Sequence, residues 1–183
     1  MKNKNAVLVV VGLIVLVLVI GLIIAAVRNK NNTGEKKEIE MPTKYKISYC
    51  FGGGFTTYAD SLNRCFSVDQ DGNVKLELTD DEAKVKPLEF KVDVKDAKIL
   101  MRYFYDNEFY NLKKDLSNND VTDLNTSYLK VESNTFNREV GGYAASLNSK
   151  FKQFSNKVYE LVGEEKINEF TENVRNAYEK SND

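Results

Sequence analysis

The sequence contains no histidine, no tryptophan and only two cysteines among 183 residues. Without histidine, the Ser–His and Cys–His pairs that activate most nucleophiles are excluded. Two cysteines and no histidine also supply too few ligands for a structural zinc site. A Ser–Lys dyad or a carboxylate pair stays open by composition, but no local motif points to either, so the chain reads as non-catalytic. There is no excess of one charge: 26 basic and 27 acidic residues leave a net charge of −1. Nucleic acid, which needs a basic surface, is therefore not an expected partner. No cofactor and no resident metal are expected.

One thing is present in unusual concentration. From Ala6 to Val27 the chain reads AVLVVVGLIVLVLVIGLIIAAV, with no polar side chain. At about 1.5 Å per helical residue this run spans a hydrocarbon core of roughly 30 Å. Its Val and Ile content is mediocre for a helix in water. In lipid that matters little, because every backbone N–H and C=O must be satisfied within the segment. A buried soluble helix would show a polar edge, and a secretory leader would have a shorter apolar stretch ending in an A-x-A-like site. Ala25-Ala26-Val27-Arg28 lacks that site and no cysteine follows closely. Residues 6–27 are read as an uncleaved transmembrane helix in contact with the lipid bilayer, after a short tail of residues 1–5.

Orientation rests on opposing signals. Lys2 and Lys4 precede the run, and Arg28, Lys30, Lys36 and Lys37 come after it. Applied literally, the positive-inside rule keeps the C-terminal domain in the cytoplasm. The margin is small, and single N-terminal anchors with a tiny basic tail usually export the domain attached to them. The expectation is an extracytoplasmic domain.

Residues 28–43 are polar, include NKNNTGEKKE, and cannot bury enough apolar surface to fold alone. They read as a tether. From Tyr45, Ile47 and Tyr49 onward the period is that of half-buried strands. Leu62–Asp69 is a second strand. Asp71-Gly72 lies between alternating runs and signals a hairpin into Val74, Leu76 and Leu78. Leu88, Phe90, Val92 and Val94 give a fourth strand. The period then lengthens: Ile99, Leu100, Tyr103 and Phe104 share a helical face, with Asp96 as cap. Phe109–Leu112 leaves the helix and packs under it, and residues 116–123 form a loop. Thr126–Ser133 and Phe136–Val140 form a further strand pair, with Tyr128, Lys130 and Glu132 on the face opposite Ser127, Leu129 and Val131. Leu147, Phe151, Phe154, Val158 and Leu161 make one helical stripe, stopped by Gly163. Ile167, Phe170 and Val174 make another. The predicted fold is α+β: an antiparallel sheet of about six strands with helices on one face. It divides into a domain over residues 44–162 and a C-terminal helix over residues 163–183.

The stretch Cys50-Phe-Gly-Gly-Gly-Phe-Thr-Thr-Tyr58 stands apart. It lacks the lysine of a phosphate loop and does not open a helix. Gly52, Gly53 and Gly54 permit φ > 0 and close approach of another chain. Two roles are open to it: a bulge or strand connection, or a contact loop displaying Phe55, Thr56, Thr57 and Tyr58. Gly141, Gly142 and Tyr143 are a second candidate contact segment. Cys50 and Cys65 flank the first. Outside a reducing cytoplasm a bond between them would close a loop of about 15 residues, worth on the order of 3 kcal/mol in the chain-entropy model; the other reading is two buried free thiols. Asp69-Gln-Asp-Gly-Asn73 departs from a calcium loop, since its glycine is fourth rather than sixth and strands replace the flanking helices.

Gly53-Gly54-Phe55, Asp71-Gly72, Phe109-Tyr-Asn-Leu112, Thr122-Asp123 and Tyr128 together resemble the layout of small bacterial domains found in lipoproteins and anchored proteins. The layout is also similar to that of emfourin-type metalloprotease inhibitors. That resemblance implies protease inhibition as an alternative function and assigns no inhibitory residue. The residues themselves favour a single-pass anchored protein whose non-catalytic domain binds a protein or an envelope component. The high Asn and Lys content fits an AT-rich bacterial genome. The anchor is tested directly: the full-length chain should sediment with membranes and resist alkaline carbonate, and release of the unprocessed chain without detergent would refute it.

Overall fold

A computed structural model of the chain describes residues 39–54, 61–79 and 85–179. The run of residues 6–27 and the side chains of Phe55, Thr56, Thr57 and Tyr58 lie outside the described residues. Among the described residues no helix is long and apolar enough to cross a membrane.

Six strands form one antiparallel sheet. They are β1 (Tyr45–Gly53), β2 (Arg64–Asp69), β3 (Asn73–Leu78), β4 (Leu88–Lys91), β5 (Asn125–Ser133) and β6 (Asn137–Tyr143), in the order β4-β3-β2-β1-β5-β6. The first four strands form a meander. Helix α1 (Val94–Asp106) then carries the chain back across one face, so that β5 pairs with the free side of β1. Helices α2 (Ser149–Val162) and α3 (Glu164–Glu179) complete the helical layer. The α+β class, the strand count and the antiparallel pairing agree with the periodicity of the sequence.

Alternation decides the faces. Ile47, Phe66, Val68, Val74, Leu76, Leu129, Val131 and Val140 are all buried, and they share a core with the helices. From the helical side come Leu100, Met101, Phe104, Phe151, Phe154, Val158, Phe170 and Val174. Each fully buried side chain of this size contributes about 1.5–3 kcal/mol relative to exposure. Phe104, Phe109 and Phe154 meet with ring centroids 4.8 to 5.2 Å apart. A second aromatic group, Tyr49, Phe51, Phe66 and Tyr159, fills the other end of the layer. Burial, then the neighbouring Tyr159, raise the Tyr49 hydroxyl well above the ordinary phenol range, so it stays neutral.

Three details differ from the sequence reading. The fourth strand stops at Lys91, and the helix starts at Val94 with Asp93 as its cap, Asp93 Oδ1 accepting the Lys95 N–H at 2.7 Å. Val92 N–H donates to Gly72 O at 2.9 Å, which ties this connection to the β2–β3 turn and leaves Asp96 to complement the dipole in the first turn. Ile99 is 63% exposed because the buried stripe of α1 runs through Ala97, Leu100, Met101 and Phe104. Leu147 lies in a 3-10 turn, Ala145–Leu147, and is also exposed; α2 begins only after Asn148, whose Oδ1 accepts the Phe151 N–H at 3.0 Å.

The Asp-Gly hairpin forms as expected. Asp69 accepts N–H groups of Asp71 and Asn73 at 2.9 and 3.0 Å and the Asn73 side-chain amide at 2.8 Å. Burial opposes ionisation of Asp69, but these hydrogen bonds outweigh it and hold the carboxyl below its ordinary value of 3.8. The carboxylate is thus occupied in shaping a turn.

Strand β6 is an edge whose C-terminal half is covered. Gly141 N–H donates to Lys114 O, Leu116 N–H to Gly141 O, and Asn118 N–H to Tyr143 O, all at 2.8 to 2.9 Å. Gly141 itself sits so close to β5 that a Cβ would collide with Ser127 O and stand 2.7 Å from Tyr128 Cα.

These contacts carry two expected outcomes. Gly141→Ala should lower the free energy of unfolding by about 1–3 kcal/mol, the usual range for overpacking, read by chemical denaturation. Asp69→Asn should cost about 1 kcal/mol at neutral pH, a value limited by solvent screening. Because the folded carboxyl titrates lower than the unfolded one, that difference is full above the ordinary carboxylate range. It should shrink as the pH falls through the depressed folded value.

Candidate binding site on the open sheet face

Among the described residues no helix covers the second face of the sheet. Its even-numbered β1 residues, Lys46, Ser48, Cys50 and Gly52, point away from the core, as do Cys65, Ser67 and Asp69 of β2. Over most of this face the side chains are charged or hydroxylic. Lys75 pairs with Glu77 at 2.6 Å and Lys130 with Glu132 at 2.8 Å, each two residues along its own strand. Such exposed pairs contribute little stability but keep the face solvated.

The apolar side chains of this face gather at one end. Cys50 and Cys65 are direct partners in the β1–β2 register and form a disulfide, with their Cα atoms 4.1 Å apart. Of the two readings open in the sequence, the placement of the cysteines at disulfide distance agrees with the bond. On its other side Cys50 is paired with Tyr128 of β5, and Tyr128 with Gly141 of β6. Asp115 forms a bridge to Gly141 from the covering segment. One row across the sheet therefore reads Cys65, Cys50, Tyr128, Gly141, Asp115.

Tyr128 is 41% exposed, high for a large ring in the middle of a sheet. Its Cδ1 lies 2.7 Å from where a Gly141 Cβ would be, so the bare glycine is what leaves room for the ring beside β6. Beside it is a shallow cavity of about 490 Å3 walled by Asp115, Ser117, Asn137 and Glu139, with Lys114 at its rim. Asp115 Oδ1 accepts the Ser117 N–H at 2.9 Å. That bond, with the Ser117 hydroxyl, holds the Asp115 carboxyl below its usual range, so it is ionised at neutral pH.

The structure brings the two sequence-predicted segments to this same end. Gly52 pairs with Thr126, and Thr126 with Tyr143 on its other side. Gly52 is buried against Asn63, whose Cα would stand 2.8 Å from an added Cβ. Gly53 and Gly54 adopt φ of 78° and 91°, which turn the chain out of the sheet. The triplet thus has the strand-connection role; the contact loop expected after it lies outside the described residues. Gly142 is buried against Ser117 and Asp115. Tyr143 is half-buried, and its phenol oxygen accepts the Leu124 N–H at 3.2 Å. The glycines set backbone shape, and side-chain chemistry comes from their neighbours.

Sequence reasoning did not select Tyr128, Asp115, Asn137 or Glu139 as site residues. A signal existed for Tyr128 alone: it is the aromatic residue out of phase with Leu129 and Val131, on a face otherwise bearing Lys130 and Glu132. The other three come from separate chain segments and meet only through β-sheet pairing.

Among the described residues no group of three or more histidine, cysteine or carboxylate side chains is placed to hold a metal ion. No protein-family model matches the chain, and no curated protein shows significant similarity to it.

Proposed function

We propose that this protein is a membrane-tethered, non-catalytic binding module. Residues 6–27 form the transmembrane helix, residues 28–43 the tether, and the α+β domain is presented on the extracytoplasmic side to an envelope component. The observation that carries this reading is the division of the sheet into two unlike faces. One is sealed by three helices. The other is uncovered among the described residues, polar, and cross-linked at its apolar end by Cys50–Cys65. A disulfide half-open to solvent supports an oxidising compartment, since cytosolic thiols are kept reduced.

The chain also joins the domain in a way that suits a tether. Tyr105 O–H donates to Ile39 O at 2.6 Å, and Asn134 Oδ1 accepts the Thr43 and Lys44 N–H groups at 3.2 and 3.1 Å. These contacts fasten the C-terminal end of the tether and the residue leading into β1 to α1 and to the β5–β6 turn. The open apolar strip lies at the other end of β1, at Cys50 rather than Tyr45.

Thiol labelling of intact cells tests the proposal. With a membrane-impermeant reagent, Cys50 and Cys65 should label only after reductant is added, without lysis. Labelling without reductant, and only after lysis, would place the domain in the cytoplasm and overturn the reading. Inhibition of a secreted metalloprotease by micromolar protein would replace binding to an envelope component with protease inhibition.

A further inference from the structure

We propose that the Tyr128 end of the open face is a saccharide site that stacks a neutral, β-linked pyranose chain on the Tyr128 ring. This rests on the reading of the domain as an extracytoplasmic binding module and names the ligand class for it.

An aromatic face carries partial negative charge, and the axial C–H bonds of an all-equatorial pyranose carry the complementary positive charge. A phenol ring is about the size of one sugar ring. Tyr128 is exposed by 41%, and its ring reaches over the bare Gly141, so a large part of the ring is open to a ligand. The disulfide at Cys50 continues this apolar floor by one position along the same row. It gives a second, weaker platform of polarizable sulfur.

The walls supply the second half of a sugar site. Asp115, Ser117, Asn137 and Glu139 line the same cavity as Tyr128 with carboxylate, hydroxyl and amide groups; Asn137 Oδ1 accepts the Ser133 N–H at 2.9 Å, so its amide NH2 is the part left for a ligand. These are the donors and acceptors that match sugar hydroxyls and N-acetyl groups. The Asp115–Asn118 segment is fixed to the sheet edge by three backbone hydrogen bonds, so the wall is preorganised. The cavity of about 490 Å3 falls in the usual small-ligand range of roughly 300–1,000 Å3.

Other occupants fit less well. Asp115 and Glu139 stand beside Lys114 and Lys130, so the site has no excess of positive charge to hold a phosphate-rich polymer. A protein partner needs a continuous apolar centre within an interface of about 800 Å2 per side. The open face offers one short apolar row among paired Lys and Glu residues.

The test uses the full-length protein in nanodiscs and chitotetraose, the uncharged β-1,4 tetramer of N-acetylglucosamine, as probe. Saturation-transfer NMR and calorimetry should show binding with a dissociation constant on the order of a millimolar or tighter. Tyr128→Ala should weaken it by about tenfold or more, whereas Tyr128→Phe, which keeps the ring, should stay within about threefold. Both changes are at an exposed position, and an unchanged unfolding transition confirms the fold. Absence of binding at about tenfold the expected constant, or binding that Tyr128→Ala leaves intact, overturns the proposal. So does binding of a cationic Lys-Gly hexapeptide in place of the sugar, which would make the site electrostatic. Thiol labelling in cells is independent of all these results, so failure of the sugar site leaves the tethered reading to its own test.

Discussion

Strand β1 is hydrogen-bonded on both sides, to β2 and to β5, and its alternate side chains are committed to opposite faces. Tyr45, Ile47 and Tyr49 enter the core, while Lys46, Ser48 and Cys50 face outward. A slip of β1 by one residue against both neighbours would exchange these sets. It would bury Lys46 beneath the helices, separate Cys50 from Cys65 and move Tyr128 away from the disulfide. The core is therefore what enforces the register, and the register is what arranges the open face. Burial stabilises one face and, through a period of two, positions on the other groups that the helical core does not touch.

Much of this was legible because alternation is a local property. Ile47, Val68, Val74, Leu76, Leu129 and Val131 could be assigned to one face from sequence alone, and all are buried. Boundaries were less legible where two signals compete within a few residues. Asp93 and Asp96 are both acceptable caps, and the tie is broken by Val92, whose hydrogen bond to Gly72 stops the strand early. Ile99 and Leu147 illustrate a different limit. Apolar spacing identifies a helix, but which apolar residues face inward depends on where the sheet lies.

The candidate site was the least legible part. Its row crosses β2, β1, β5 and β6 and ends on the segment after α1. No spacing rule within the chain connects Cys50, Tyr128 and Asp115. The two glycine-containing segments stand out in the sequence as possible contact surfaces, and they do lie at the same end of the sheet. Their role there is steric. Gly52 and Gly141 are places where another residue's atoms occupy the space of a side chain. Glycines in such positions mark the neighbourhood of a site without belonging to its chemistry.

The disulfide belongs to the same logic. A cross-link between two strands already aligned over six residue pairs adds little to the docking of the helices, which sit on the opposite face. Its loop-closure effect acts on the unfolded chain and on the connection from Phe51 to Arg64. In the folded protein its main consequence is local: it places paired sulfur next to Tyr128, which the β1–β5 register sets beside Cys50, where the rest of the open face carries charge. A free thiol pair at this position would be smaller in contact area, more polar and reactive. The oxidised form gives a flat apolar strip that needs no support from the core. Conditions that reduce the bond would thus be expected to alter the surface next to Tyr128 well before they disturb the helical layer, because the two are held by different interactions.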